Sequence, residues 1–264
     1  MFPLADPPLA VITGGSSGIG FELARLLGAA GFHLILVARD PVRLAHAAAT
    51  LAPATAAGLE TRAVDLADTA AVDTLCAELA RLEVDLLVNN AGFGAYGPFS
   101  TGDAALGAAM IDTNVRALTV LTHAVLPGMI ARGQGRILNV ASTAAFAPGP
   151  FAAVYAASKA YVLSFSQALN EELRETRIRV IALCPGPTET AFAARAGMGD
   201  TRAFRGQQAS AEAVALAGYQ ALLAGRAVEV VGAVNRLMIF AVRLLPRALV
   251  TRLSRRAYAA EDED

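Results

Sequence analysis

Short runs rich in Val, Ile and Leu alternate along this chain with longer Ala-rich stretches whose apolar positions recur every three to four residues. The first kind reads as strands at Leu9–Thr13, His33–Ala38, Glu60–Val64, Asp85–Asn89, Gly135–Val140, Ile178–Cys184 and Val228–Val231. The second kind reads as helices at Ile19–Gly31, Pro41–Leu51, Thr69–Leu82, Asp103–Arg132, Ala153–Thr176 and Ser210–Ala224. Several strands are apolar throughout, as strands covered by helices on both faces must be. The alternation predicts one doubly wound α/β domain around a seven-stranded, mostly parallel sheet. No linker divides residues 1–234. Two segments fall outside the alternation: residues 188–208, with Gly197 and Gly199, read as a lid, and residues 235–264 read as a C-terminal extension.

Composition narrows the class. The 264 residues are 55% hydrophobic, with mean hydropathy +0.47, but Ala alone supplies about a fifth of the chain. No run of ~20 uninterrupted apolar residues exists, so a membrane-spanning helix is not expected. A net charge of −1 offers no basic field for nucleic acid. Cys76 and Cys184 are too few for a disulfide framework, and the start of the chain lacks the features of a signal peptide. The expectation is a cytoplasmic protein. His33, His46 and His123 have no metal-ligand spacing, and no metal site is expected. Of the 22 basic residues all are Arg except Lys159.

The first strand runs into Thr13-Gly14-Gly15-Ser16-Ser17-Gly18-Ile19-Gly20 and then a helix. Glycines at that junction allow a tight turn and bring helix N-terminal amides against a pyrophosphate. The second strand ends Ala38-Arg39-Asp40, where an acidic side chain would accept from a ribose 2′-OH and an Arg would pair with a 2′-phosphate. Arg39 favours NADP over NAD; the bland alternative is a solvated surface charge beside Asp40. Val64-Asp65-Leu66 and Asn89-Asn90-Ala91-Gly92 end the third and fourth strands, where a buried Asn needs a cofactor edge or neighbouring backbone as partner. Tyr155 and Lys159 lie four residues apart on a helix, one turn from each other on one face. A phenol serves as an acid or base near neutrality when a nearby ammonium stabilises its anion, and Lys159 is the candidate. Ser142, after the fifth strand, is placed to hydrogen-bond a carbonyl or alcohol, and Asn114 to anchor a relay water.

In this order and spacing the motifs make the chain resemble the short-chain dehydrogenase/reductases, from about Leu9 to Val231, particularly members that reduce ketones or 3-oxoacyl groups with NADPH. The resemblance implies a Rossmann-type fold and NAD(P)-dependent oxidoreduction on CH–OH groups. It implies a tetrad of Asn114, Ser142, Tyr155 and Lys159: Tyr155 as acid or base, Lys159 lowering its pKa and holding the nicotinamide ribose, Ser142 polarising the carbonyl, Asn114 holding a water. It also implies cofactor contacts at Gly14, Ser16, Ser17, Gly18, Ile19, Gly20, Arg39, Asp65, Leu66, Asn90, Ala91 and Gly92. The Pro185-Gly186-Pro187-Thr188 loop and Thr190 complete that set. Many NADP-preferring members carry a basic residue in the glycine turn where this chain has Ser16 and Ser17, so NADP preference leans on Arg39, with NAD the lesser expectation. Homodimers or homotetramers are expected, since family members commonly oligomerise.

Around the mouth of the site the sequence places Phe93, Tyr96, Thr143, Ala144, Phe146, Pro148, Phe151, Val154, Phe192 and Met198. The set lacks an Arg or Lys cluster and suits a hydrophobic ketone or secondary alcohol, such as an acyl-chain or ring ketone. The alternatives are an NAD-dependent alcohol dehydrogenase, or a nucleotide-binding or membrane-surface protein with little turnover. From Asn235 to Arg256, Leu245, Leu249 and Leu253 form one helical face opposite Arg247, Arg252, Arg255 and Arg256, ahead of an acidic end at Glu261–Asp264. This basic amphipathic stretch either packs on the fold or on a second subunit, or makes peripheral contact with an anionic membrane.

Overall fold

The structure, a computed structural model, describes residues 7–199, 201–206 and 208–259. The acidic end at Glu261–Asp264 lies outside the described residues. The core strands are β1 (Leu9–Thr13), β2 (His33–Ala38), β3 (Leu59–Ala63), β4 (Val84–Asn89), β5 (Gly135–Val140) and β6 (Ile178–Cys184). With the later Val228–Val230 strand they form one sheet in the order β3-β2-β1-β4-β5-β6 and then that last strand, every pairing parallel. β4 is buried along its whole length, because helices cover both faces; β3, at the edge, is largely exposed.

Helices α1 (Gly18–Ala29), α2 (Pro41–Leu51) and α3 (Thr69–Leu79) follow the first three strands. α4 (Ala104–Ile111) and α5 (Leu118–Arg132) flank a π-helical stretch, Asp112–Ala117, inside what the sequence reads as one uninterrupted helix. By length and composition alone the run Ala104–Arg132 could cross a membrane, which sequence inspection did not anticipate. Here its Leu118, Leu121, Val125 and Met129 are buried in the folded domain. α6 (Ala153–Glu172) carries Tyr155 and Lys159. Two hydrophobic layers sandwich the sheet, one centred on Leu23, Leu36 and Leu183, the other on Val37, Leu87 and Ile137.

Because the strand order reverses between β1 and β4, a crevice opens above their carboxyl ends, where ligands bind in open α/β sheets. The segment after β6 is not a bare loop. It forms β7 (Thr188–Glu189), α7 (Phe192–Ala196) and α8 (Arg202–Arg205), and β7 pairs with β8 (Ala209–Ser210) ahead of α9 (Ala211–Ala224) and β9 (Val228–Val230). The C-terminal stretch forms α10 (Ala233–Leu244) and, past Pro246, α11 (Arg247–Tyr258). One side of this pair closes over the crevice, burying Ile239 and Val250; Val234, Leu237, Phe240 and Leu244 remain exposed. Arg255, read from sequence as part of an outward basic stripe, lies over the Phe151 ring, 5.4 Å from its centroid.

Candidate active site

A cavity of about 1270 Å³ runs along the crevice. Of the catalytic tetrad and the cofactor contacts expected from the sequence, all but Gly20 and Asn114 line it. These two sit one layer back. Asn90 explains the first: its Nδ2 donates to the carbonyls of Thr13 and Gly14, 3.0 and 3.2 Å away, and lashes the glycine turn to the end of β4. A Cβ on Gly14 would stand 2.7 Å from that nitrogen, and one on Gly20 would collide with it. The glycines thus make room for the Asn90 amide as well as for any ligand. Asn89, the neighbouring candidate, turns away from the cavity and donates to Thr122 Oγ1 and Asn139 Oδ1, with Asn139 donating onward to Ser166.

The turn is shaped for an anion. α2, α3 and α9 are capped by the side chains of Asp40, Asp68 and Ser210, whereas Ser17 makes no side-chain bond to the first amides of α1. Those amides and the positive end of the helix dipole face the cavity beside Gly18, where a φ of +57° and a Cβ that would stand 3.1 Å from Thr190 Cγ2 disfavour a side chain. The residues present therefore fit a dinucleotide phosphate. Arg39, Arg43 and Asp65 line the far end, and Asp65 also accepts from the Ala67 amide at 3.0 Å.

At the other end the β5 strand delivers Ser142, which caps a short turn by accepting from the Ala144 amide at 3.1 Å. Tyr155 and Lys159 project from α6, both buried. Lys159 Nζ donates to the Val140 carbonyl at 2.7 Å and lies 5.9 Å from the centre of the Tyr155 ring. Burial pushes Lys159 down to about 8 and drives Tyr155 well above its ordinary value, against a hydrogen bond with Ser142 that favours the anion and with the Tyr258 phenol adding to the rise. The phenol therefore carries its proton at neutral pH, and the ammonium sits near its titration point. Cys184, beside Lys159, is pushed up to about 12 by burial and stays a thiol.

Asn114 sits in the π-helical stretch and is fully engaged. Its Nδ2 donates to the Phe93 carbonyl and to Ser158 Oγ, 2.9 and 3.0 Å away, and its Oδ1 accepts from the Phe93 amide at 3.1 Å. A Cβ on Gly92 would stand 2.9 Å from Asn114 Oδ1 and 3.4 Å from Lys159 Nζ, so Gly92 is where the two side chains converge.

The remaining walls are apolar and come from three parts of the chain. Phe93, Tyr96, Phe192 and Met198 line the mouth as the sequence suggested; Phe151 and Val154 do not. Val154 packs beneath, and the Phe151 ring lies tilted against that of Tyr96, centroids 6.0 Å apart, with its backbone at φ +65°, in the left-handed region that bulky residues avoid. Sequence reading missed Met238, Val250, Leu253 and Tyr258 on the C-terminal helices, and Arg43 and Arg195 at the polar end. Their alignment on the cavity depends on how distant elements pack and leaves no local signature. Two contacts fasten the C-terminal pair: Tyr96 Oη donates to the Tyr258 carbonyl at 2.6 Å, and Gly186 makes room for Asn235, whose Nδ2 a Cβ there would meet at 2.5 Å.

Known proteins resemble this chain in sequence and in fold. A very-long-chain 3-oxoacyl-CoA reductase of Laccaria bicolor is 39% identical over 175 residues, 65% of this chain and 52% of that protein, so the match spans about half of that relative's length. A sulfoacetaldehyde reductase of Chromohalobacter salexigens is 40% identical over 188 residues, covering 70% of this chain and 74% of that one. Among solved structures, a short-chain dehydrogenase from Sphingobium yanoikuyae in complex with NADPH superposes with a TM-score of 0.82 at 32% identity, covering 97% of this chain and 99% of that one. A bulky-bulky ketone specific alcohol dehydrogenase from Comamonas testosteroni gives 0.78 at 29% identity, covering 98% and 99%. The sequence profile of the short chain dehydrogenases matches residues 8–200, and the chain belongs to that family of oxidoreductases.

Proposed function

We propose that the protein transfers hydride between NADP(H) and a hydrophobic ketone or secondary alcohol, with Tyr155 as the acid that protonates the carbonyl oxygen in reduction and the base in the reverse direction. The carrying observation is one cavity with two unlike ends, joined at buried Ser142, Tyr155 and Lys159. Arg39, Arg43, Asp65 and the uncapped amides of α1 line the polar end; among the described residues, no charged group besides Lys159 lines the aromatic and aliphatic end. The NADPH-bound structural relative and the ketone-specific alcohol dehydrogenase, both matching nearly full length, support the cofactor and substrate class.

NADPH bound along the crevice would supply the hydride. Ser142 holds the substrate oxygen and Tyr155 hands over its proton; burial keeps that proton on the phenol until a developing alkoxide takes it. Lys159, tied to the Val140 carbonyl and close to its titration point, stabilises the phenolate left behind and is the nearest source for its reprotonation. Asn114 positions the Phe93 backbone, which forms part of the wall. Tyr155 packs among Phe93, Phe192 and Met198, so the proton is handed over beside a largely apolar wall.

The test is NADPH consumption with ketones bearing two bulky substituents and with 3-oxoacyl thioesters, alongside small polar aldehydes. Turnover confined to the bulky carbonyls and lost in Tyr155→Phe is the expected result. Equal turnover by Tyr155→Phe, or a preference for NADH, overturns the assignment in its mechanism or its cofactor, respectively.

A further inference from the structure

Three arginines from three separate elements line the one cavity: Arg39 after β2, Arg43 in the first turn of α2, and Arg195 on α7 of the lid. Among the described residues none of the three has a carboxylate within ion-pair distance, whereas Arg25, Arg62, Arg116, Arg174 and Arg226 are each paired. The nearby carboxylates are committed to backbone: Asp40 accepts from the amides of Val42 and Arg43, and Asp65 from that of Ala67. Arg195 is close enough to the others to feel them, since its guanidinium is held below its ordinary pKa by partial burial and then by repulsion from Arg43 and Arg39. Three guanidinium groups against the two carboxylates of Asp40 and Asp65 leave this end of the cavity net positive, and a phosphomonoester, with a charge of about −2, suits guanidinium forks that hold no carboxylate of their own.

α7 has a second commitment at its other end. Phe192, three residues before Arg195 and so on the same side of the helix, lies with its ring centroid 5.3 Å from that of Tyr155. Phe192 and Met198 also close on Gly94, where an added Cβ would meet them at 3.0 and 3.3 Å, and Met198 is fully buried. One short helix thus connects the arginine cluster to the wall of the catalytic tyrosine.

Resting on the NADP(H) reading above, we propose that Arg195 is a lid-borne clamp for the 2′-phosphate of the cofactor, which with Arg39 and Arg43 holds α7 where Phe192 packs against Tyr155. The 2′-phosphate then does more than discriminate between cofactors: it holds the wall of the substrate end in place. NADH, lacking it, leaves the lid without its electrostatic anchor.

The experiment is a fluorescence titration of the full chain with NADPH and NADH for wild type, Arg195→Ala and Arg39→Ala. It is joined to hydrogen exchange of the Thr188–Gly199 amides with 2′,5′-ADP against 5′-ADP. Arg195 is exposed, and the NADH titration of each variant reports on its fold. The expected result is about tenfold weaker NADPH binding in Arg195→Ala with NADH unchanged, and slowing of lid exchange by 2′,5′-ADP in wild type but not in that variant. Unchanged NADPH affinity and unchanged lid protection in Arg195→Ala, with Arg39→Ala weakened, overturns the clamp and leaves the NADP(H) reading standing. Equal affinity of wild type for NADPH and NADH overturns both.

Discussion

The two ends of the cavity are built in opposite ways. At the nucleotide end position is set by backbone: strand termini, glycine contacts too close for a side chain, and the Asn90 amide holding the turn to β4. At the substrate end it is set by side chains on the lid and the two C-terminal helices, of which α10 still exposes Val234, Leu237, Phe240 and Leu244. A backbone-built site tolerates no change of size, whereas a side-chain wall can be recut one residue at a time. One chemistry can thereby be kept while the substrate changes.

Perturbations at the seam should cost most. Tyr155→Phe is expected to lower turnover by about 10²–10⁴-fold while leaving NADPH affinity within about twofold, read by paired kinetics and titration. Lys159→Met sharpens the same seam through pH. The Lys159 pKa lies near 8 in the fold against 10.5 as the ordinary value, so between these pH values the unfolded chain holds a proton that the folded one has lost. Below pH 8 both states are charged and the full burial penalty acts; as pH rises toward 10.5 the penalty is relieved. Stability of the wild type relative to Lys159→Met should climb by up to about 3 kcal/mol across that window, measured by denaturant unfolding.

Further down in size come the changes that separate the two ends. Gly14→Ala places a Cβ 2.7 Å from Asn90 Nδ2 at a φ of +67°, and should cost about 2 kcal/mol of stability and weaken NADPH and NADH alike. Tyr96→Phe removes the bond to the Tyr258 carbonyl and should raise KM for bulky ketones by about fivefold with cofactor affinity unchanged. If Tyr96→Phe weakened cofactor binding as much as Gly14→Ala does, the two ends would not be independent and the comparison would fail.

This contrast also explains what the sequence discloses. The backbone-built end is legible because its constraints are local: a strand, a glycine turn and a helix in succession, and Tyr155 and Lys159 four residues apart. The predicted strands agree with the observed ones to within a residue, apart from the two-residue pair β7 and β8 in the lid. The π-helical stretch at Asp112–Ala117 has no such signature, and the apolar run around it reads as one continuous helix. Arg43, Arg195 and Tyr258 became part of the cavity only through packing between elements far apart in sequence. Phe151 departs from expectation for a related reason: its place in the sequence suggests a ring facing the mouth, but its unusual backbone turns the ring toward Tyr96 and Arg255.

That turn at Phe151 sets a trade-off for anyone reshaping the enzyme. A bulky residue at φ +65° stores about 1–3 kcal/mol that the neighbouring contacts must offset, and glycine would release most of it. The Gly97 amide bonds the Phe151 carbonyl at 2.9 Å, so the strained residue also ties the loop bearing Tyr96 to the start of α6. Phe151→Gly releases the backbone but also deletes the ring contacts with Tyr96 and Arg255, so the melting temperature should move by no more than a few degrees while the aromatic mouth loosens, and substrate discrimination changes at a position where thermal tolerance does not.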